Sequence, residues 1–137
     1  MRRLTGPAFV MALIGVVALS GIALAAKPEP LGNYGGKHVS LQADSTGKSL
    51  SSFDGDCTAV KHPKFSFAVF FGIPVNGQGK FSWNRKNAVN TPNGGTLSQT
   101  YRVTINGQFV SKKEAKGTYQ LHKRGCKTVT FDAKLMP

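Results

Sequence analysis

Along most of the chain after residue 38, apolar residues fall at every second position, and no stretch of ten residues after Asn33 carries a helical period. Strict alternation puts one set of side chains on each face of an extended chain, so the pattern predicts strands. Val39, Leu41 and Ala43 alternate with polar neighbours, Ser45-Thr46-Gly47-Lys48 makes a turn, and Leu50 to Phe53 starts a second strand. Asp54-Gly55-Asp56 reads as a turn or bulge ahead of Cys57. Phe65, Phe67, Val69 and Phe71 share one parity while Ala68 and Phe70 take the other, the two-faced apolarity of a central or doubly covered strand. Pro74 has no N–H to give a ladder, so Ile73-Pro74-Val75 reads as an edge or a corner. Asn76-Gly77-Gln78-Gly79 then turns the chain into Phe81 and Trp83.

The second half is more regular. Tyr101, Val103, Ile105, Gly107 and Phe109 keep one parity through Asn106-Gly107, a strong hairpin dipeptide. A two-residue hairpin there would throw Phe109 onto the opposite face, so unbroken parity predicts one long strand with its turn at Ser111 to Glu114. Ala115, Gly117, Tyr119 and Leu121 form the next strand, His122 to Gly125 a polar turn, and Val129, Phe131, Ala133 and Leu135 the last strand. Residues 84–96 are the longest stretch without alternation and read as a disordered or ornamental excursion. Seven or eight short antiparallel strands with frequent turns predict an all-β fold, a single β-sandwich of jelly-roll or immunoglobulin-like kind. The odd-numbered residues of its last five strands would face the shared core.

The first residues follow another rule. Arg2 and Arg3, an uncharged apolar run from Ala8 to Leu19, and the small-x-small triplet Ala23-Leu24-Ala25 make a secretory signal segment. The chain therefore divides into a signal helix over 1–25, a flexible Pro-rich lead-in over 26–35 and a β-domain over 36–137. The apolar run is nearer signal length than the ~20 residues of a bilayer span, so membrane contact is expected only through an uncleaved signal segment. Export fixes the redox compartment, and an even pair of cysteines, Cys57 and Cys126, then reads as a disulfide. The alternatives are a metal pair, for which His38, His62 and His122 offer no ligand spacing, and a Cys57–His62 thiolate, which export argues against.

The charge is +12, and +10 once Arg2 and Arg3 are gone, because the 6 acidic residues all lie after residue 25. Such a balance attracts polyanions. The partners expected are an anionic cell-wall polymer or polysaccharide, with no specific nucleic acid, and the protein is expected to be a monomer. Most lysines are scattered. Lys112, Lys113 and Lys116 form one cluster and Lys123, Arg124 and Lys127 another, and these six are the candidate polyanion contacts. Trp83 and Tyr34 are candidate sugar-stacking residues. Trp83 shares the parity of Phe81 and so favours the core, whereas Tyr34 could be exposed or cap one end of the fold. Arg85-Lys86 beside Trp83, and Arg102 beside Tyr101, are the nearest approach to nucleic-acid chemistry, but their parity separates the cations from the rings.

No Gly-x-Ser-x-Gly elbow, His-Glu-x-x-His helix or phosphate loop is present, and no catalytic residue, metal or cofactor is assigned. Asp54-Gly55-Asp56 is half of a calcium loop without its other ligands. The leading expectation is a non-enzymatic binding or structural module of the cell envelope. The alternative is a hydrolase of an envelope polysaccharide using Asp54, Asp56 or Asp132, which requires two carboxyl groups to meet in a cleft. A third is an assembly module using a sheet edge near Ile73-Pro74-Val75.

The order of short motifs adds a resemblance. Tyr34-x-Gly36-Lys37, Gly47-Lys48 leading to Phe53 and Cys57, and Ile73-Pro74-Val75 leading to Gly79-Lys80-Phe81-Ser82 come first. Gly107-x-Phe109-x-Ser111, Ala115-Lys116-Gly117-Thr118, and Cys126 followed by Val129-Thr130-Phe131-x-Ala133 complete the series. Together they resemble a largely uncharacterised family of small secreted bacterial β-sandwich domains, over nearly all of the chain after the signal segment. Members often carry Trp where this chain has Phe131, and the 84–96 loop is longer here. The resemblance implies a disulfide-tied β-sandwich and no catalytic residues.

Overall fold

The computed structural model describes residues 26–57, 65–70 and 72–137. The signal helix expected over 1–25, together with Lys61, His62, Lys64 and Phe71, lies outside the described residues. The described part is all-β, with nine strands: β1 (Asn33–Gly36), β2 (Val39–Ala43), β3 (Ser49–Asp56), β4 (Ser66–Val69), β5 (Ile73–Pro74), β6 (Lys80–Asn87), β7 (Tyr101–Ser111), β8 (Glu114–Leu121) and β9 (Val129–Leu135). No helix among these residues is long and apolar enough to cross a membrane.

All nine strands belong to one antiparallel sheet in the order β4-β3-β2-β1-β9-β8-β7-β6, with β5 beside β3. The sandwich expectation divided the strands between two sheets; here hydrogen bonds join them into one sheet that curls nearly into a barrel. The cause is β1, which pairs with both β2 and β9 and so ties the two halves together. Residues 33–35 had been placed in the flexible lead-in. They are strand because Tyr34 is fully buried, and because Ala43 N–H donates to Gly32 O and Leu31 N–H to Asp44 O.

Odd parity in β7, β8 and β9 does face the core: Val103, Ile105, Phe109, Ala115, Tyr119, Phe131 and Ala133 are buried. The long β7 runs through Gly107 and turns at Lys112–Lys113. The interior is filled by aromatic rings around Phe53, whose centroid lies 5.6 Å from Phe131, 5.8 Å from Tyr119, 6.2 Å from Phe67 and 6.5 Å from Phe81. Glycines on the facing strands make room for those rings. A Cβ on Gly107 would stand 2.3 Å from the Phe81 ring, one on Gly55 2.8 Å from Phe67, and one on Gly117 2.9 Å from Phe131. Small-against-large pairing of this kind fills a small barrel without leaving a ligand cavity. It also corrects Asp54-Gly55-Asp56, which is no turn. These residues sit inside β3, opposite Ala68, Phe67 and Ser66 of β4, and Gly55 is there for space.

A tyrosine closes each end. Tyr34 O–H donates to Lys112 O and accepts from Glu29 N–H (2.8 Å) at the β7–β8 turn, and its ring packs edge-on against Phe109. At the other end Tyr119 O–H lies 2.8 Å from His38 O and 2.9 Å from Asp56 O and accepts from Asp56 N–H. Burial pushes its pKa up to about 12. At that same end Cys57 and Cys126 are disulfide-bonded across a sequence separation of 69. A closed loop of that length is worth about 4 kcal/mol on the chain-entropy account.

Candidate functional site

The sheet does not close between β4–β5 and β6. Both β4 and β5 lie along the same edge of β3. Gly72, just ahead of β5, has φ 69°, a conformation that side chains with a Cβ rarely take. Two backbone clips bound the gap. Ser66 and Asn90 exchange both of their hydrogen bonds at one end (3.1 and 2.7 Å), and Asn76 N–H donates to Lys80 O at the other (2.9 Å). Beside the Ser66–Asn90 clip a slit of about 580 Å³ opens, lined by Ala68, Phe70, Trp83, Arg85, Lys86, Asn87, Ala88 and Asn90, and toward Asn76 the gap continues into separate cavities along Pro74 and Ser82.

Phe70 was expected to be covered, as part of a two-faced apolar strand. It is instead 64% exposed, because β4 is an edge strand and nothing among the described residues packs on its outer face. Trp83 was expected in the core, and its parity is right. It is only half-buried, packed on the edge of the core, whereas Phe81 two positions earlier in β6 is in the core itself. Its indole N–H donates to Asn87 Oδ1 (2.9 Å), and the Arg85 guanidinium lies 4.7 Å from its ring centroid. Contrary to the expected separation, Arg85 shares the odd parity of Trp83 and stacks on it from the same face of β6, while Lys86 takes the other parity. Tyr34, the other stacking candidate, is fully buried.

The 84–96 excursion is also corrected. Residues 84–87 continue β6, Val89 is fully buried, and Asn90 bridges both Ser66 and Thr96. The segment forms one end of the slit. The edge near Ile73-Pro74-Val75 is spent on β3, since Leu50 pairs with Ile73 and Val75 N–H donates to Lys48 O.

No carboxylate lines the slit, while Arg85 and Lys86 do, and neither forms an ion pair among the described residues. Lys86 opposes Arg102 across the sheet, and His122 N–H donates to Arg102 O. A basic row thus runs from the slit toward Lys123, Arg124 and Lys127 in the β8–β9 loop. Lys123 Nζ sits 4.2 Å from the Phe65 ring centroid. Lys112 and Lys113 form the β7–β8 turn at the opposite end of the 8-residue β8, roughly 23 Å away. Lys116 is occupied there by Glu114 (3.1 Å) and Asp132 (3.8 Å), which hold its pKa up. The two predicted clusters therefore do not merge, and only the second adjoins the slit.

The acidic residues meet in part. Asp54 and Asp56 share a face of β3, about 7 Å apart along the strand, and line one shallow cleft with His38, Ser40, Ser66 and Asn90. Burial, with the Asp56 charge second, raises the Asp54 pKa. His38 Nδ1 is 3.9 Å from Asp56 Oδ2. Asp132 is elsewhere, on β9 with Lys116. No group of three or more His, Cys, Asp or Glu among the described residues could hold a metal. Comparison with known proteins returns no matching family model, no matching curated protein and no matching solved structure.

Proposed function

We propose that this is a secreted, non-enzymatic module that holds an anionic polymer of the cell envelope on its outer surface. The observation that carries the reading is the acid-free slit and the basic row beside it, on a barrel whose interior is solid with aromatic rings. A filled barrel has no room for a ligand inside, so recognition belongs to the surface. Cations without ion-pair partners keep their full attraction for a polyanion. The disulfide is compatible with export. In a pull-down at physiological salt, the protein is retained on cell-wall glycan or teichoic acid and released as salt screens the contact. No retention on either polymer removes the reading. Mass spectrometry of the exported protein, with and without reductant, reports the cleavage site and both thiols.

The Asp54–Asp56 cleft supports a second reading, a hydrolase of an envelope polysaccharide. One carboxyl with a raised pKa beside another is the division of labour such chemistry uses. Against it, both groups come from one strand, whereas the catalytic pair flanks the bond it cleaves. Release of new reducing ends from envelope polysaccharide, lost in Asp54→Asn, would establish it.

A further inference from the structure

The slit has a composition that charge alone does not account for. Arg85, Lys86 and the side-chain amides of Asn87 and Asn90 surround Phe70, whose ring is the most exposed large hydrophobic side chain described. We infer that the slit is a subsite for one anionic pyranose, a uronate residue of a glycan. The C–H face of the sugar lies on Phe70, its carboxylate meets Arg85 and Lys86, and its hydroxyls meet the two asparagine amides. This rests on the polyanion reading above and names the chemical class that the site selects.

Four features carry the assignment. The polar groups are mostly donors: Arg85 and Lys86 can only donate, and Asn87 Oδ1 is already taken by the Trp83 indole. A ligand rich in acceptor oxygens and bearing a negative charge complements that set. Arg85 is also pre-positioned, since its stacking on Trp83 holds the guanidinium at the slit instead of leaving it free in solvent. The exposed Phe70 ring requires a ligand with an apolar face, which a polyphosphate chain lacks and a pyranose has. Finally, the Ser66–Asn90 clip bounds the slit at one end, and Arg85 occupies a face of Trp83. One ring is left free, where binding of a single nucleic-acid strand uses a succession of stacking platforms. No carboxylate lines the slit itself, although Asp54 pairs with the lining residue Ala68 and Asn90 also lines the Asp54–Asp56 cleft.

The test uses the 1 tryptophan of the chain, Trp83, as its own reporter. The full disulfide-bonded protein is titrated with tetragalacturonate, its methyl ester, tripolyphosphate and oligothymidylate, following Trp83 fluorescence and calorimetry. The expected result is a saturable change with tetragalacturonate, at least tenfold weaker for the ester. Phe70→Ala should weaken tetragalacturonate at least tenfold and leave tripolyphosphate unchanged, and Lys86→Ala should weaken both. If the anions bind in order of charge alone and Phe70→Ala has no effect, the sugar subsite is overturned and the polyanion reading stands. Tighter binding of oligothymidylate than of the uronate overturns the subsite in favour of nucleic acid. If teichoic acid and cell-wall glycan also fail to retain the protein, both proposals fall together.

Discussion

The wall that runs from β2 through β1, β9 and β8 to β7 and the seam between β4–β5 and β6 are made from the same residue types, yet they use their aromatic rings in opposite ways. In the wall Phe131 faces Gly117 on a neighbouring strand, Gly107 makes room for the Phe81 ring, and Tyr34, Phe109 and Tyr119 pack against other rings, so the interior closes. At the seam Phe70 has no such counterpart and is exposed, and Trp83 is only half-buried, with the Arg85 guanidinium over its ring. Aromatic content therefore does not decide burial. Whether the facing strand supplies space and backbone decides it, and where it supplies neither the ring stays exposed.

The sharpest way to break this contrast is to truncate one ring on each side. Phe53→Ala, at the centre of the ring cluster, is expected to cost about 3–5 kcal/mol in denaturant unfolding, while Phe70→Ala stays within about 0.5 kcal/mol. Similar losses would erase the distinction. The disulfide comes next. Cys57→Ser with Cys126→Ser should lower unfolding free energy by about 4 kcal/mol if the unfolded chain is unstructured, and a much smaller loss would mean that the sheet alone holds that end.

Tyr119→Phe removes a hydroxyl shared by Asp56 N–H and two carbonyls, and should cost about 1–3 kcal/mol at neutral pH. Because the folded-state pKa is raised to about 12 from 10.0, the stabilisation from the neutral phenol is complete below pH 10 and is lost as pH rises toward 12. The gap between wild type and Tyr119→Phe should narrow over that window in thermal melts.

The smallest effects test sign. Asp44, in the β2–β3 turn, has its pKa lowered chiefly by the Ser49 hydroxyl, then by Thr46 and the Lys48 N–H. Its contribution is present above the ordinary carboxylate range near 3.8 and lost as pH falls below it, so Asp44→Asn should destabilise at pH 7. Asp54 has its pKa raised, so its ionisation opposes folding above that range, and Asp54→Asn should stabilise at pH 7 and be neutral near pH 3. Melts of both variants across that range check the opposite signs.

Strand positions were largely legible, because alternation reports which face of a strand is buried. Parity through Gly107 correctly denied a hairpin at Asn106-Gly107, and both cysteines were paired from their number and setting. Closure was not legible. Whether strands divide into two sheets or join into one depends on β1, only 4 residues long, and alternation cannot say which neighbour a strand takes. The slit was missed for the same reason. Phe70 stood out as an apolar residue on the wrong parity, and that was its signal, but the pattern of a doubly covered strand and that of an exposed edge are the same letters. The packed Val89–Asn90 segment was hidden by its polar surroundings, because one buried valine makes no period.

The clips at the two ends of the gap carry a consequence for solubility. On the parity set by Gly79 O, which accepts from Phe109 N–H on β7, the backbone of Ser82, Asn84 and Lys86 points into the gap. Three residues of unsatisfied edge between two pinned ends, with a lysine among them, are too short and too charged to template a neighbouring molecule. Cutting either clip, for instance with proline at Asn90, would lengthen that edge. It should promote edge-to-edge stacking into fibrils, which light scattering of that variant beside the wild type would detect.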